Sequence, residues 1–242
     1  MRIGILANSL PAALKIYDEV ETVPDCELFI LLCRTPDESR RRNILGHLAR
    51  LFLKRGGLKS LHLILSRKVF LFPRTLVHAD TLERLEKLKL DIGLHKAGVI
   101  YREATIKTFR LGILNPHIGI LPDYRGRNVM EWALLEGQPV GITVFFIDSG
   151  IDTGERIVLR EEVDISGYKS IQEAKQYLFD LDAIFFRRAL ELLRSENFEY
   201  QLNDGSGRRY YVMSKLFQSV VEKKVMSSEF SIESRTQNLK AD

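Results

Sequence analysis

Strand-like and helix-like stretches alternate along this chain from its first residues. Arg2–Ala7 is a short apolar run, and residues 11–20 after it have helical composition with a proline near the start. Further strand candidates, separated by helical or loop segments, lie at 27–33, 69–72, 91–94, 111–114, 141–147 and 156–163. Such alternation predicts an α/β fold of the Rossmann-like, doubly wound type, in which helices cover both faces of a mostly parallel sheet.

Several helices are expected between and after these strands. One broken amphipathic helix, or two short ones, is predicted over 43–53 and 58–65. Another covers 81–88, with Asp80 or Thr81 as its cap. The longest helical pattern is 170–194, whose apolar residues form one wide stripe. A turn is expected at 204–207, and residues 227–242 lack a core pattern and are expected to form a mobile tail.

Length and composition narrow the class of protein. The chain has 242 residues, 45% of them hydrophobic and 28% charged, which suits one large domain with or without a small appendage and excludes a disordered, collagen-like or disulfide-framework protein. No apolar run reaches the roughly 18–20 residues that span a bilayer. The chain start resembles a strand and not a secretory signal. With Cys26 and Cys33 expected to be reduced thiols, we expect a cytoplasmic protein.

Positive charge is concentrated between residues 34 and 68. The whole chain has a formal charge of +4, whereas this segment contains ten basic residues and only two acids, Asp37 and Glu38. A basic surface attracts nucleic acid, nucleotide phosphates or an anionic membrane. The alternative interpretation is a solvated helix face without a partner.

Candidate catalytic residues follow two of the predicted strands. Asn115 and His117 continue the strand at 111–114, and if the chain stays extended both side chains share one face. Asp152 follows the strand at 141–147 and lies between two glycines. Ligands bind beyond the carboxyl ends of the strands in open parallel sheets, where an amide and an imidazole can hold a carbonyl group and move a proton. The alternative is a histidine with a purely structural role.

The sequence around these residues resembles the folate-dependent formyltransferases. The matching segments read Asn-Pro-His-Ile-Gly-Ile-Leu-Pro-Asp-Tyr-Arg-Gly from Asn115, then Trp132, then Gly-Ile-Thr-Val-Phe-Phe-Ile-Asp-Ser-Gly-Ile-Asp-Thr-Gly from Gly141. That family has an Asn-x-His motif followed by Leu-Pro-x-Tyr-Arg-Gly, and later an Asp-x-Gly loop. The resemblance is strong over 112–157 and extends over 1–213, the expected catalytic domain. Residues 214–242 are then expected to form a C-terminal helix and the tail.

The resemblance implies that a formyl group is transferred from 10-formyltetrahydrofolate to an amine, without a metal. Asn115 would donate a hydrogen bond to the formyl oxygen as negative charge develops there. His117 would stabilise the same oxygen and assist proton transfer, and Asp152 would hold His117 or an ordered water in position. A cis peptide bond is expected before Pro122.

The resemblance also implies where the folate binds. A first segment supplies apolar side chains to the pterin pocket, namely Val99, Ile100, Tyr101 and Ile106. A second segment bonds the pterin edge through its backbone groups and includes Ile147, Asp148 and Ile151. The alternatives are that Val99 and Ile106 belong to the core and that Asp148 only caps its turn. The chain departs from the family at Gly119, where serine is frequent, and at His95 and Lys96, which replace small residues and would face folate, acceptor or solvent.

The acceptor is expected to be a small amine, with an amino sugar linked to a nucleotide as the first choice. Tyr124-Arg125-Gly126 and Trp132 resemble the sugar and tRNA enzymes of the family more than the purine-pathway enzyme. The expected acceptor-binding residues are Asn8, Ser9, Tyr124 and Arg125. Methionyl-tRNA formyltransferases usually carry a C-terminal barrel domain, and with only about fifty residues after the long helix we expect none here.

Three alternatives stay open for the function. A tRNA acceptor would bind through the basic segment at 34–68, and its affinity would fall steeply with salt. A non-catalytic module would bind folate or a nucleotide without turnover, and a hydrolase would release formate by using water in place of the amine. We expect a nucleotide diphosphate, before bulk nucleic acid, as the partner of the basic segment, and no membrane partner.

Overall fold

One sheet of eight strands organises the computed structural model, which describes residues 1–34, 57–66, 68–73 and 76–226. The strands of this sheet are β1 (Arg2–Ala7), β2 (Glu27–Arg34), β3 (Val69–Pro73), β4 (Ile92–Lys96), β5 (Gly112–His117), β7 (Gly141–Phe146), β8 (Arg156–Glu162) and β9 (Gln201–Leu202). Two shorter strands, β6 (Tyr124–Gly126) and β10 (Arg208–Tyr210), pair with each other in parallel. The helices are α1 (Leu10–Val20), α2 (Gly57–Leu65), α3 (Ala79–Lys87), α4 (Glu103–Ile106), α5 (Val129–Leu135), α6 (Ile171–Asp180), α7 (Asp182–Leu193) and α8 (Lys215–Met226).

The strand order is β3-β2-β1-β4-β5-β7-β8-β9. The first five strands in this order are parallel, and each step from β5 through β7 and β8 to β9 is antiparallel. The predicted α/β fold with a mostly parallel sheet is therefore confirmed. Strand β5 is the last parallel strand, and the carboxyl ends of parallel strands form the edge at which ligands bind in open α/β sheets.

Apolar side chains from alternate strand positions pack on the two faces of the sheet. Ile3 and Ile5 of β1 belong to the larger cluster, which includes residues of α1, α5, α6 and α7, whereas Leu6 belongs to a second cluster on the other face. In β5, Leu114 and Ile113 divide between the faces in the same way. A strand that is buried on both faces reads as a continuous apolar run, which is why these strands could be predicted.

Two helix predictions need correction. The pattern at 170–194 forms two helices, α6 and α7, which meet at Leu181. They separate because they pack on different neighbours, α6 on α8 and α7 on α1, β5, β7 and β8. The predicted cap of α3 is also wrong: the helix begins at Ala79 after His78, and Thr81 is buried inside its first turn.

Several sequence predictions fall on residues that lie outside the described ones. The helix at 43–53, the greater part of the basic segment at 34–68 and the tail at 227–242 belong to these. The expected C-terminal helix is present as α8, where Val221 is fully buried and the Phe217 ring lies 5.9 Å from that of Trp132. Within the described ranges, none of the helices has the length and apolar character needed to cross a membrane. Both cysteines are free thiols, and burial raises the pKa of Cys33 to about 12.

Candidate functional site

Asn115 and His117 end strand β5 at its carboxyl edge. They pair with Phe145 and Thr143 of β7, so the backbone stays extended through both residues. Residues two positions apart on a strand point to the same face. Both residues also line one pocket. Asn115 is half-buried, and His117 is 8% exposed. The predicted proximity of the two side chains is therefore what the fold produces.

The His117 ring is held by backbone atoms of the loop that follows β5. Its Nε2 donates a hydrogen bond to the Tyr124 carbonyl at 2.8 Å, and its ring meets Phe145 edge-on. Gly119 makes this bond sterically possible. A Cβ atom there would lie 2.6 Å from the Tyr124 oxygen and 2.7 Å from His117 Nε2. The expected cis peptide is present between Leu121 and Pro122.

Asp152 reaches the same histidine from the loop after β7. Its Oδ1 lies 3.6 Å from His117 Nδ1, and its Oδ2 accepts a hydrogen bond from the Gly126 N–H at 3.0 Å. Asp152 has a φ of 54°, in the left-handed region that aspartate tolerates better than most residues. The three residues predicted to be catalytic thus come together at the carboxyl edge of the sheet: Asn115, His117 and Asp152.

The hydrogen bonds define what the imidazole can do. A carbonyl oxygen only accepts, so Nε2 carries a proton for the Tyr124 carbonyl. A second proton on Nδ1 would point toward the Asp152 carboxylate. The ring is therefore oriented so that Nε2 is engaged by the backbone and Nδ1 faces a carboxylate.

The Asp152 loop is itself braced by two polar residues. Buried Asn203 donates from Nδ2 to the carbonyls of Asp152 and Gly154, at 3.3 and 3.1 Å. The Asp148 carboxylate accepts from the Gly150 N–H at 2.9 Å and from the Thr153 hydroxyl. The interpretation of Asp148 as a turn cap is thus realised in the fold. The role of Asn203 was not predicted from the sequence, because its segment contains mainly polar turn residues.

A pocket of about 250 Å³ opens beside Asn115 and His117. Its walls come from the end of β5, the start of α5 and the exposed side of α6. The lining residues are Asn115, Pro116, His117, Ile118, Gly126, Asn128, Val129, Met130, Glu131, Lys175 and Phe179. Sequence reasoning did not identify Asn128, Glu131 and Lys175, which form a hydrogen-bonded cluster in this wall.

The predicted folate residues lie mostly on the other face of the sheet. Val99, Tyr101, Ile106 and Ile147 pack in the second apolar cluster, whereas Ile100 and Ile151 are exposed. None of them lines the pocket described above. Such a set of packed and exposed apolar side chains is of the type that can hold a flat aromatic ring.

His95 and Lys96 have partners inside the protein. His95 Nδ1 and the Tyr101 hydroxyl are 2.7 Å apart, and burial together with the charge of Lys96 lowers the pKa of His95 to about 4. Lys96 forms an ion pair with Asp182 of α7. Burial raises the pKa of the Asp182 carboxyl to about 6, although Lys96 opposes this shift.

The predicted acceptor residues are spread around the site. Asn8 is exposed, and Ser9 precedes α1 without a side-chain cap bond. The Tyr124 hydroxyl donates to Glu136 at 2.7 Å, its ring stacks on Tyr210, and burial together with Glu136 raises its pKa well above the usual value. Arg125 donates from Nε to the Gly207 carbonyl. The Tyr124 and Arg125 side chains thus connect β6 to β10 and the turn before it. None of the four predicted acceptor residues lines the pocket.

In the part of the chain that the structure describes, no three His, Cys, Asp or Glu side chains lie close enough together to hold a metal ion.

Known proteins match this chain in sequence over its central part. The family model described as formyl transferase matches residues 62–190. The methionyl-tRNA formyltransferase of Alkaliphilus oremlandii is 31% identical over 125 residues, which cover 51% of this chain and 40% of that protein. The chain thus spans less than half the length of this curated relative.

Solved structures match the fold over most of the chain. A 4-N formyltransferase from Francisella tularensis has a TM-score of 0.61 at 12% identity, over 93% of this chain and 87% of that one. The formyltransferase PseJ from Anoxybacillus kamchatkensis, in complex with UDP-4,6-dideoxy-4-formamido-L-AltNAc and tetrahydrofolate, has a TM-score of 0.52 at 18% identity, over 95% and 100% of the two chains. At such identities the likeness establishes the fold alone. Because the family model spans Asn115, His117, Asp152 and more than half of the sequence, the chain belongs to the formyl transferase family.

Proposed function

We propose that this protein transfers the formyl group of 10-formyltetrahydrofolate to the amine of a small acceptor, with a nucleotide-linked amino sugar as the first choice. One observation carries the proposal: Asn115, His117 and Asp152 meet at the carboxyl edge of the sheet, and the first two line an open pocket. Family membership supports the class of reaction. The PseJ complex, which contains a formamido sugar nucleotide and tetrahydrofolate, supports the choice of acceptor and donor.

The residues present fit a bound folate and its reaction. When bound, 10-formyltetrahydrofolate supplies the formyl carbon, whose bond to N10 breaks while that nitrogen takes up a proton. The half-buried apolar side chains of Val99, Ile106 and Ile147 would hold its ring system. Asn115 has no side-chain hydrogen bond among the described residues, so its amide N–H is available to the formyl oxygen. Such a donor typically contributes about 10²–10³ in rate.

His117 moves the proton that the reaction requires. The attacking amine loses one proton and N10 gains one, so no net proton is produced when the acceptor attacks in its neutral form. With Nε2 bonded to the Tyr124 carbonyl, Nδ1 is the nitrogen that carries this proton. Asp152, at 3.6 Å, stabilises the ring when both nitrogens are protonated and fixes its orientation. General acid–base catalysis of this kind contributes about 10²–10⁴ in rate.

The direct test is to supply 10-formyltetrahydrofolate with a panel of amines and to follow tetrahydrofolate formation. The panel contains UDP-linked 4-amino-4,6-dideoxyhexoses, glycinamide ribonucleotide, methionyl-tRNA and water alone. We expect tetrahydrofolate to form only with an amino sugar nucleotide. No release with any amine would contradict the proposal, and equal release without an amine would indicate a hydrolase.

Methionyl-tRNA is the second candidate acceptor. The sequence relative at 31% identity is a methionyl-tRNA formyltransferase, and the basic residues between 34 and 68 suit a polyanion. A tRNA acceptor would give turnover in the panel that falls steeply between low and physiological salt.

A further inference from the structure

Glu131 is a buried acid in the first turn of α5, whose other residues are apolar. Its side chain is 4% exposed, and its neighbours Met130 and Ala133 on α5 are core residues. Its Oε1 accepts hydrogen bonds from Asn128 Nδ2 at 2.6 Å and from Lys175 Nζ at 2.7 Å. Its Oε2 has no hydrogen-bond partner among the described residues, although it is shielded from solvent.

An unpartnered buried carboxylate oxygen requires an explanation. Leaving such an atom without a hydrogen bond destabilises the folded state, and more so when the group is charged. Replacing a buried ion pair by apolar side chains is often neutral or stabilising for the fold. The helix dipole favours an acid in the first turn of α5, and Lys175 and Asn128 satisfy Oε1, but neither accounts for the unpartnered Oε2. A ligand that donates a hydrogen bond to Oε2 would satisfy this atom.

The position of Glu131 indicates which ligand this is. Glu131, Asn128 and Lys175 line the same pocket as Asn115 and His117. Glu131 and Lys175 cancel each other in charge, so this pair brings no excess positive charge that would attract an anion. The unpartnered atom of the cluster is a carboxylate oxygen, which favours a cationic hydrogen-bond donor.

We propose that Glu131 docks the ammonium group of the formyl acceptor, which donates a hydrogen bond to Oε2 and is thereby held in the pocket that contains Asn115 and His117. This inference rests on the proposed function and adds the residue that selects an amine. Lys175 and Asn128 orient the carboxylate through Oε1. Glu131 is a binding residue in this account. The docked ammonium group releases one proton to solvent to give the neutral amine that attacks, and His117 carries the proton that then passes from this amine to N10.

Calorimetric titration with matched ligand pairs tests the inference. The ligands are UDP-linked 4-amino-4,6-dideoxyhexoses and, for each, the sugar nucleotide with a hydroxyl in place of the amine, all with tetrahydrofolate present. The variant is Glu131→Gln, which keeps an oxygen for Asn128 and Lys175 and replaces Oε2 by a donor. The control is Glu173→Gln, which changes an exposed carboxylate on α6, the helix that carries Lys175.

The expected result is a loss of discrimination. Wild type and Glu173→Gln bind the amine at least about tenfold more tightly than the alcohol, as a hydrogen bond to a charged group allows. Glu131→Gln binds amine and alcohol about equally, and its affinity for tetrahydrofolate is unchanged. If Glu131→Gln does not fold, as judged by circular dichroism, Glu131→Met is used, with the same loss expected.

Two outcomes overturn the inference. In one, wild type and the Glu131 variant prefer the amine over the alcohol by the same factor in every ligand pair. In the other, the Glu131 variant binds the amine and the alcohol more weakly than wild type by the same factor. Formyl transfer is measured on the same samples. Transfer by wild type with no effect of Glu131 refutes the inference and leaves the proposed function standing. Amine-selective binding that depends on Glu131, without transfer, supports the inference and contradicts the function.

Discussion

Asp152 lies in the loop after β7 and His117 ends strand β5, yet the Asp152 Oδ1 and the His117 Nδ1 are 3.6 Å apart. The other oxygen of the same carboxylate accepts a hydrogen bond from the Gly126 N–H. One side chain therefore connects the loop after β7 both to the end of β5 and to β6. This relationship aligns the imidazole with the pocket and gives it a negative neighbour on one side only.

Replacing Asp152 tests the contribution of that charge. In Asp152→Asn an oxygen remains for the Gly126 N–H, but the negative charge beside His117 is lost. We expect kcat to fall by about 10²–10⁴, in the range of general acid–base catalysis, while the thermal unfolding midpoint changes little. Asp123→Asn, which alters an exposed carboxylate in the neighbouring loop, is the control and should keep wild-type kcat. A normal rate in Asp152→Asn would mean that the aspartate is not needed for proton transfer.

Gly119 is expected to tolerate no side chain. In Gly119→Ala the new Cβ atom would lie within 2.7 Å of both the Tyr124 carbonyl oxygen and His117 Nε2, so the hydrogen bond between them must lengthen or break. We expect kcat to fall at least about tenfold, since small misplacements of a catalytic group are costly. Gly167→Ala adds a methyl group where nothing lies within 4 Å and should be neutral. Equal activity of the two variants would refute the steric argument.

Asn203 is expected to position Asp152 through the backbone. Asn203→Asp removes the Nδ2 donor that holds the Asp152 and Gly154 carbonyls and puts a negative charge beside them. We expect a loss of about 1–3 kcal/mol in the free energy of unfolding, measured by urea denaturation, together with a lower kcat. The converse exchange at the neighbouring exposed turn residue, Asp204→Asn, serves as control. Unchanged kcat in a destabilised Asn203→Asp protein would restrict Asn203 to a structural role.

His95 should make the protein sensitive to mild acid. Its pKa is lowered to about 4 in the fold, below the ordinary value of about 6.5, so the unfolded chain binds the proton first as the pH falls. The stabilisation is complete above pH 6.5 and is lost between about pH 6.5 and 4, by as much as about 3 kcal/mol. His95→Gln, which can still bond Tyr101, should flatten the dependence of unfolding free energy on pH in this window.

The control for this experiment is His78→Gln, an exchange at an exposed histidine. Comparing variants isolates His95 from Asp182, whose raised pKa acts with the opposite sign between about pH 4 and 6. An identical pH profile for His95→Gln and wild type would show that His95 does not contribute.

Local periodicity explains which parts of the site can be predicted from the sequence. Asn115 and His117 share a face because side chains alternate along any extended strand. The sheet and its order of elements follow from apolar runs separated by helical patterns. The position of Asp152 beside His117 follows from the resemblance of its loop to a known motif, and the geometry agrees with it.

Packing between distant segments explains what the sequence leaves open. The contact between Glu131 and Lys175 depends on how α5 and α6 dock, and no local pattern encodes that geometry. The apolar stripe at 170–194 is continuous, and no glycine or proline marks the junction at Leu181. The pattern therefore predicts one helix where packing produces two. Tyr124 and Arg125 look like ligand-binding residues in the sequence, yet their side chains bond to Glu136 and Gly207.

The fate of the formyl carbon tests the central claim most directly. 10-Formyltetrahydrofolate labelled at the formyl carbon is incubated with the protein and a UDP-linked 4-amino-4,6-dideoxyhexose, and the products are separated by mass spectrometry. We predict that the label is recovered as a formamide on the sugar, in a one-to-one ratio with tetrahydrofolate, and that His117→Asn abolishes this product. Label recovered only as formate, or a formamide yield that His117→Asn leaves unchanged, would contradict the account.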